Sequence, residues 1–301
     1  MQIANYNWAM SHKQILAGLA AGLAAASIWG GMYVVSKVVL DVIPPFTLLA
    51  MRLVLGIGCL AIVIAFRPRT SLTRPQGWQI FLVGFVGYGV SLGFQFVGTK
   101  LSTASNGALV TSATPAFILI FAPFLLSERA TPRSILALII STLGVIAVID
   151  PRNAELSPTR FWGNMSLLAA ALTWALYSVL VRRVTRTADV VTATTIMLAG
   201  GLPSSLLLSA WEIRTAGIGP ITPWIWGGVL FLGIVATAAA MFLWNFAFAE
   251  LPAALASLTF FAQPLVGSLL GWAFLAEQIT PLFLLGGLLI AIGLALASLQ
   301  V

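Results

Sequence analysis

Ten stretches of about twenty residues, each nearly free of charge, fill most of the chain. A hydrocarbon layer about 30 Å thick is crossed by a helix of roughly 20 apolar residues, so the pattern predicts ten membrane spans. They are Gln14–Val39, Phe46–Phe66, Trp78–Gly98, Asn106–Leu126, Arg133–Ile149, Phe161–Val181, Val190–Trp211, Trp224–Phe248, Ala253–Leu275 and Leu282–Leu299. Short links with turn signals join them, among them Ile43-Pro44-Pro45, Arg67-Pro68-Arg69, Asp150-Pro151-Arg152 and Gly219-Pro220. No link has room for a soluble domain. The first span is too long for a signal-peptide core and lacks a small-residue cleavage site, so it is expected to stay. The fold class is therefore an all-α polytopic membrane protein.

Charge excludes most other readings. Asp, Glu, Lys and Arg make up 8% of the 301 residues, against roughly 25% in soluble domains. A net charge of +7 and a pI near 10.3 would ordinarily raise nucleic acid as a partner. Here the basic residues are dispersed, with no run longer than Arg182-Arg183, and no nucleic-acid partner is expected. Cys59 lies in an apolar stretch and has no second cysteine to pair with. The single histidine, His12, precedes the first span, so zinc and His-based catalysis lack ligands. No metal, cofactor or enzymatic activity is expected.

Orientation follows from the placement of Lys and Arg. With the amino terminus in the cytoplasm, that side receives Lys13, Arg67, Arg69, Arg74, Arg129, Arg133, Arg182, Arg183 and Arg186. The other side receives Lys37, Lys100, Arg152, Arg160 and Arg214, which places both termini in the cytoplasm. Trp78, Trp162, Trp211, Trp224 and Trp226 fall at span ends, where indoles favour the interface.

The halves repeat. Glu128-Arg129-Ala130-Thr131-Pro132 recurs as Glu277-Gln278-Ile279-Thr280-Pro281, a shift of 149 that also carries Gly84 onto Gly233, Pro115 onto Pro264 and Gly144 onto Gly293. Nearer the amino terminus a shift of 145 carries Trp29 onto Trp174 and Lys37 onto Arg182. The repeats are expected over 14–149 and 161–299. Five spans per repeat is an odd number, so the second copy would enter the membrane the opposite way. Such inverted repeats are typical of alternating-access transporters, with substrate between the halves.

Ten spans in two five-span halves, an acidic residue before Thr-Pro at each fourth-to-fifth junction and a proline in each fourth span resemble the EamA-type drug/metabolite transporter superfamily. Within it the chain is most similar to the YddG-like aromatic amino acid exporters. That resemblance implies a ten-helix basket around a central cavity lined by spans 1, 3, 4, 6, 8 and 9. It also implies export of amino acids, particularly aromatic ones, and of related small metabolites across the inner membrane.

Candidate substrate contacts are the polar and aromatic groups inside spans, because lipid offers a buried polar group no partner. Pro115 and Pro264 each lack an amide hydrogen, which predicts freed carbonyls at Thr111 and Phe260. Thr114 and Gln263 directly precede the two prolines. Paired helix interruptions at equivalent positions point to a transporter's site. Trp29 and Tyr33 share a face of span 1, and Trp174, Tyr177 and Ser178 are set in the equivalent region of span 6. Tyr88 and Gln95 share a face of span 3, and Trp244 and Asn245 lie near the end of span 8. Aromatics in apolar helices also serve simply as packing. Gly84, Gly87, Gly89 and Gly93, with Gly267, Gly271, Pro115 and Pro264, are candidate hinges or points of close helix approach.

No carboxylate or histidine falls in the middle third of a span, which predicts facilitated export without tight proton coupling. A proton-coupled antiporter and a small-solute channel are the alternatives. Lys37 and Arg52 are the basic groups nearest the interior. Both are expected to snorkel, Arg52 with Asp41 as a candidate partner, and either is a candidate for a substrate carboxylate. A monomer is expected, since fused repeats already supply the pseudo-symmetric pair.

Overall fold

A computed structural model describes residues 11–67, 71–102, 107, 110–128, 130–149, 160–275 and 281–299, and these are helical apart from caps and short turns. The first half contains α1 (His12–Leu40), α2 (Pro45–Ala65), α3 (Arg74–Leu101), α4 (Thr114–Leu126) and α5 (Pro132–Ile149). The second contains α6 (Phe161–Val184), α7 (Val190–Thr215), α8 (Pro223–Glu250), α9 (Ala253–Leu258), α10 (Ala262–Leu275) and α11 (Pro281–Ser298). A 3₁₀ turn, Thr259–Phe261, joins α9 to α10. Among the described residues α1, α2, α3, α6, α7 and α8 are long and apolar enough to cross a membrane. Shorter apolar stretches, Thr114–Leu126, Pro132–Ala147, Ala253–Gly267 and Leu284–Ser298, lie in α4, α5, α9–α10 and α11. The links at 68–69 and 150–152, and Glu277 to Thr280, lie outside the described residues.

Local chemistry sets the helix ends. Ser11 with Gln14, and Thr73 with Gln76, form reciprocal capping boxes, while Asp189 and Thr222 accept from the amides of Thr192 and Ile225. The surface inverts the soluble pattern. Phe124, Ile62, Leu207 and Leu288 are exposed on the outside, whereas Thr114, Ser178, Thr237, Asn245 and Gln263 are buried. Trp78, Trp162, Trp211, Trp224 and Trp226 are all exposed near helix ends.

Packing follows the repeat. α1 lies against α8 and α10, as α6 lies against α3 and α4; α2 packs on α7, α5 on α11, α3 on α7 and α8 on α2. Exchanging the halves leaves this pattern unchanged. Both α3 and α8 widen into π-helical turns, at Phe85–Ser91 and Phe231–Ala239, which nothing in the sequence marks. Such turns leave backbone carbonyls available to side chains.

The candidate hinges are sites of close approach. A methyl group at Gly84 would collide with the Met197 backbone of α7. Gly87 faces the Tyr177 ring, Gly89 faces Ser204, Gly93 faces Phe46, and Gly267 meets the Gly30 carbonyl. Each proline opens a helical segment just after an interruption. Pro115 sits in the first turn of α4, after a break at Ser112-Ala113. Pro264 sits in the first turn of α10, after the 3₁₀ turn. There a missing amide hydrogen costs little, because first-turn donors have no helical partner. The interruption falls just before each proline.

Candidate functional site

A cavity of about 30 Å³ lies where α1, α3, α4, α6, α8 and the α9–α10 junction meet. That is room for a water molecule or two. Seven of the expected contacts line it: Trp29, Gln95, Thr111, Thr114, Trp174, Phe260 and Gln263. Met32, Ser91, Leu92, Ala170, Ala171 and Met241 complete the wall. Helical spacing could have found several of these. Met32 is three residues from Trp29, Ser91 four from Gln95, and Met241 three from Trp244.

One side of the site is polar. Thr111 Oγ1 donates to the Gly107 carbonyl at 2.6 Å, so in the 3.0 Å contact between Tyr33 and Thr111 the tyrosine donates. Gln95 Nε2 donates to the Tyr33 hydroxyl at 2.9 Å, completing a one-way chain of hydrogen bonds from α3 through α1 to the segment that precedes α4. Gln263, buried opposite Gly30 at the start of α10, has no partner for its Nε2 among the described residues.

The other side is aromatic. The Trp29 ring meets those of Trp174 and Trp244 at 5.6 and 5.3 Å, and Phe260 lies 5.5 Å from Trp244. Trp244 Nε1 donates to Ser178 Oγ at 3.1 Å, and Trp29 Nε1 to the Ala236 carbonyl of the α8 π turn at 3.1 Å. Trp174 Nε1 has no partner among the described residues.

Tyr88, Tyr177 and Asn245 form a separate ring of hydrogen bonds beside Trp174 and are not among the cavity-lining residues. Tyr177 donates to Asn245 Oδ1 at 2.7 Å and Asn245 Nδ2 to the Tyr88 hydroxyl at 3.2 Å. The Tyr88 hydroxyl closes the ring onto that of Tyr177. Asn245 also donates to Thr194 at 3.0 Å, so the ring joins α3, α6, α7 and α8.

Arg52 departs most from expectation. It neither snorkels nor meets Asp41; it is fully buried between α2 and α8. Its Nε donates to Thr237 Oγ1 at 2.9 Å and to the Leu232 carbonyl at 3.2 Å, both in the π turn. Nη2 reaches the Ala236 carbonyl at 3.4 Å and Met32 Sδ at 3.6 Å, and the guanidinium lies 4.9 Å over the Phe96 ring. Nη1 has no partner, and no salt bridge to Arg52 occurs among the described residues. Burying an ion costs several kcal/mol, against about 1.5–3 for each good charged hydrogen bond. Two of the four contacts are long and one acceptor is sulfur, so they offset that cost only in part.

Beyond the cavity, each half places one cation on a helix end. Lys37, one turn past Tyr33, donates to the carbonyls of Thr99, Lys100 and Ser102 at 3.0–3.2 Å, so its role here is a C-terminal cap of α3. Arg182, one turn past Ser178, does the same for Phe248 and Ala249 of α8, at 3.1 and 3.4 Å. Arg182 also pairs with Glu128 at 2.5 Å, whose second oxygen accepts from the Ala253 amide at the start of α9. A second cavity of about 280 Å³ opens beside Glu128, among α4, α5, α9 and α11.

Comparison with known proteins now gives this arrangement a class. The EamA-like transporter family model matches the chain twice, over 16–149 and 161–299, so the protein belongs to that family of membrane transporters. It is 25% identical over 274 residues, 89% of each chain, to the Bacillus subtilis protein named uncharacterized transporter YyaM. It is also 25% identical over 252 residues to the Ancylobacter novellus aromatic amino acid exporter YddG, covering 83% of this chain and 85% of that one. One solved crystal structure shares the fold with a TM-score of 0.78 at 23% identity, covering 94% of this chain and 96% of that one.

Proposed function

We propose that the chain is a monomeric inner-membrane carrier that exports aromatic amino acids and related small metabolites by alternating access. Its ten spans form two inverted five-span repeats, α9 and α10 together making one span, with both termini in the cytoplasm. The observation that carries this reading is the cavity itself. It lies between the halves, with the indoles of Trp29 and Trp174, backed by that of Trp244, on one side and a hydrogen-bonded polar chain on the other. Indole and phenyl bodies suit the first wall by stacking, and a polar head suits the second. The likeness to a relative named as an aromatic amino acid exporter supports the same class. A 30 Å³ space is far below that of such a solute, so binding requires the helices to part. The half-exchange packing pattern and the close glycine contacts are the features on which such motion would draw. Among the described residues no Asp or Glu lines the cavity, which supports downhill export without a proton partner.

Counterflow in proteoliposomes tests this. Vesicles preloaded with unlabelled tryptophan are expected to take up labelled tryptophan faster than empty ones, saturably and without a pH gradient. Linear flux indifferent to preloading would overturn the carrier, and accumulation driven by a pH gradient alone would overturn the downhill mode.

A further inference from the structure

Three unsatisfied groups stand around the cavity, and all three are donors. Trp174 Nε1 and Gln263 Nε2 belong to cavity-lining residues, and each is buried without a partner among the described residues. Arg52 Nη1 is the third, on a buried guanidinium whose charge no described carboxylate meets. Arg52 lies one layer behind the wall: its Nη2 touches lining Met32 and shares the Ala236 carbonyl with lining Trp29. Met32 is unbranched and flexible, so it can turn aside without moving backbone. Three of the described carboxylates are engaged elsewhere, and none of the described ones pairs with Arg52. Glu128 holds Arg182 and the α9 amide, Asp189 caps α7 and pairs with Arg67, and Glu212 accepts from the Thr47 amide and hydroxyl.

From this we infer that the site selects its substrate by a carboxylate, drawn to the Arg52 side of the cavity, and does not read an amino group. A buried cation with spare donors favours an anion and disfavours a second cation. An ammonium would meet neutral hydroxyls and amides but, among the described residues, no carboxylate on this wall. The inference rests on the aromatic-exporter reading for the body of the substrate, and sharpens it. Aromatic acids lacking an amine should bind as well as the amino acids themselves, and amines lacking an acid should not.

Binding to the purified full-length chain in detergent, by calorimetry, tests this with matched indoles: tryptophan, indole-3-propionate, tryptophol and tryptamine. The aliphatic acid 4-methyl-2-oxopentanoate is run alongside. Indole-3-propionate is expected to bind within about threefold of tryptophan, and tryptamine at least about tenfold more weakly, since unmatched buried polar groups dominate discrimination. Arg52→Met should erase the preference for acids while leaving tryptophol binding in place; Arg52→Lys should restore most of it. A clamp that merely holds α2 to α8 would weaken all ligands alike. Tryptamine binding as tightly as indole-3-propionate, or an acid preference unchanged in Arg52→Met, overturns the inference. If only the aliphatic acid binds, the aromatic reading fails while the carboxylate inference stands. If no acid binds, the inference fails.

Discussion

Equivalent positions of the two halves carry different chemistry. Tyr33, Gln95 and Thr111 form the hydrogen-bonded chain on one side of the cavity. Their repeat partners, at the same offsets of 145 and 149, are Ser178, Trp244 and Phe260; Phe260 lines the aromatic side, and Trp244, bonded to Ser178, packs behind it. The scaffold is duplicated down to its π turns, but the lining is not. The α3 π turn is met by glycines of α7, with Gly200 and Gly201 against the backbones of Phe81 and Tyr88. The α8 π turn is met by Arg52 of α2. A symmetric frame suits a machine that exchanges the conformations of its halves, and an asymmetric lining suits a solute with one polar and one apolar end.

Crossing the two sides should break the comparison most sharply. Replacing Gln95 and Gln263 together with leucine removes two polar handles from one wall. Transport efficiency for tryptophan is expected to fall about a hundredfold, because each unmatched polar group is worth on the order of 1–3 kcal/mol. Trp174→Leu on the opposite wall should raise the KM for aromatic substrates up to about tenfold, the scale of one aromatic pair, and leave aliphatic acids unaffected. Equal losses for both substrate kinds in both variants would dissolve the distinction between the walls. The smallest effect belongs to Tyr177→Phe, which opens the hydrogen-bond ring beside the site. Stability should drop by about 1 kcal/mol, read as a lower unfolding temperature, with KM unchanged. A changed KM would move that ring into the binding surface.

Much of this was legible in the residues. Length and the scarcity of charge dictate the helices, and the collinear matches predict a repeat. Trp29 and Trp174, paired by offset alone, meet at 5.6 Å, and both proline-marked interruptions are present. What was not legible depends on rotation and depth, which one-dimensional spacing leaves open. Arg52 lies about two turns into its span, close enough to an interface to suggest snorkelling, yet it faces α8. Its acceptors exist because α8 widens at Phe231–Ala239, and no residue type marks such a turn. Tyr88, Tyr177 and Asn245 look like cavity residues by composition; only their mutual distances reveal a closed ring whose hydroxyl protons are already used. The Glu128–Arg182 bridge likewise spans 54 residues that no helical period connects.

The most direct test is two-sided access to the cavity. A single cysteine at lining position Ser91, in a Cys59→Ala background, is exposed to a membrane-impermeant thiol reagent in right-side-out and inside-out vesicles. Alternating access predicts labelling from both faces, with tryptophan protecting on each; labelling confined to one face, or untouched by substrate, would contradict it.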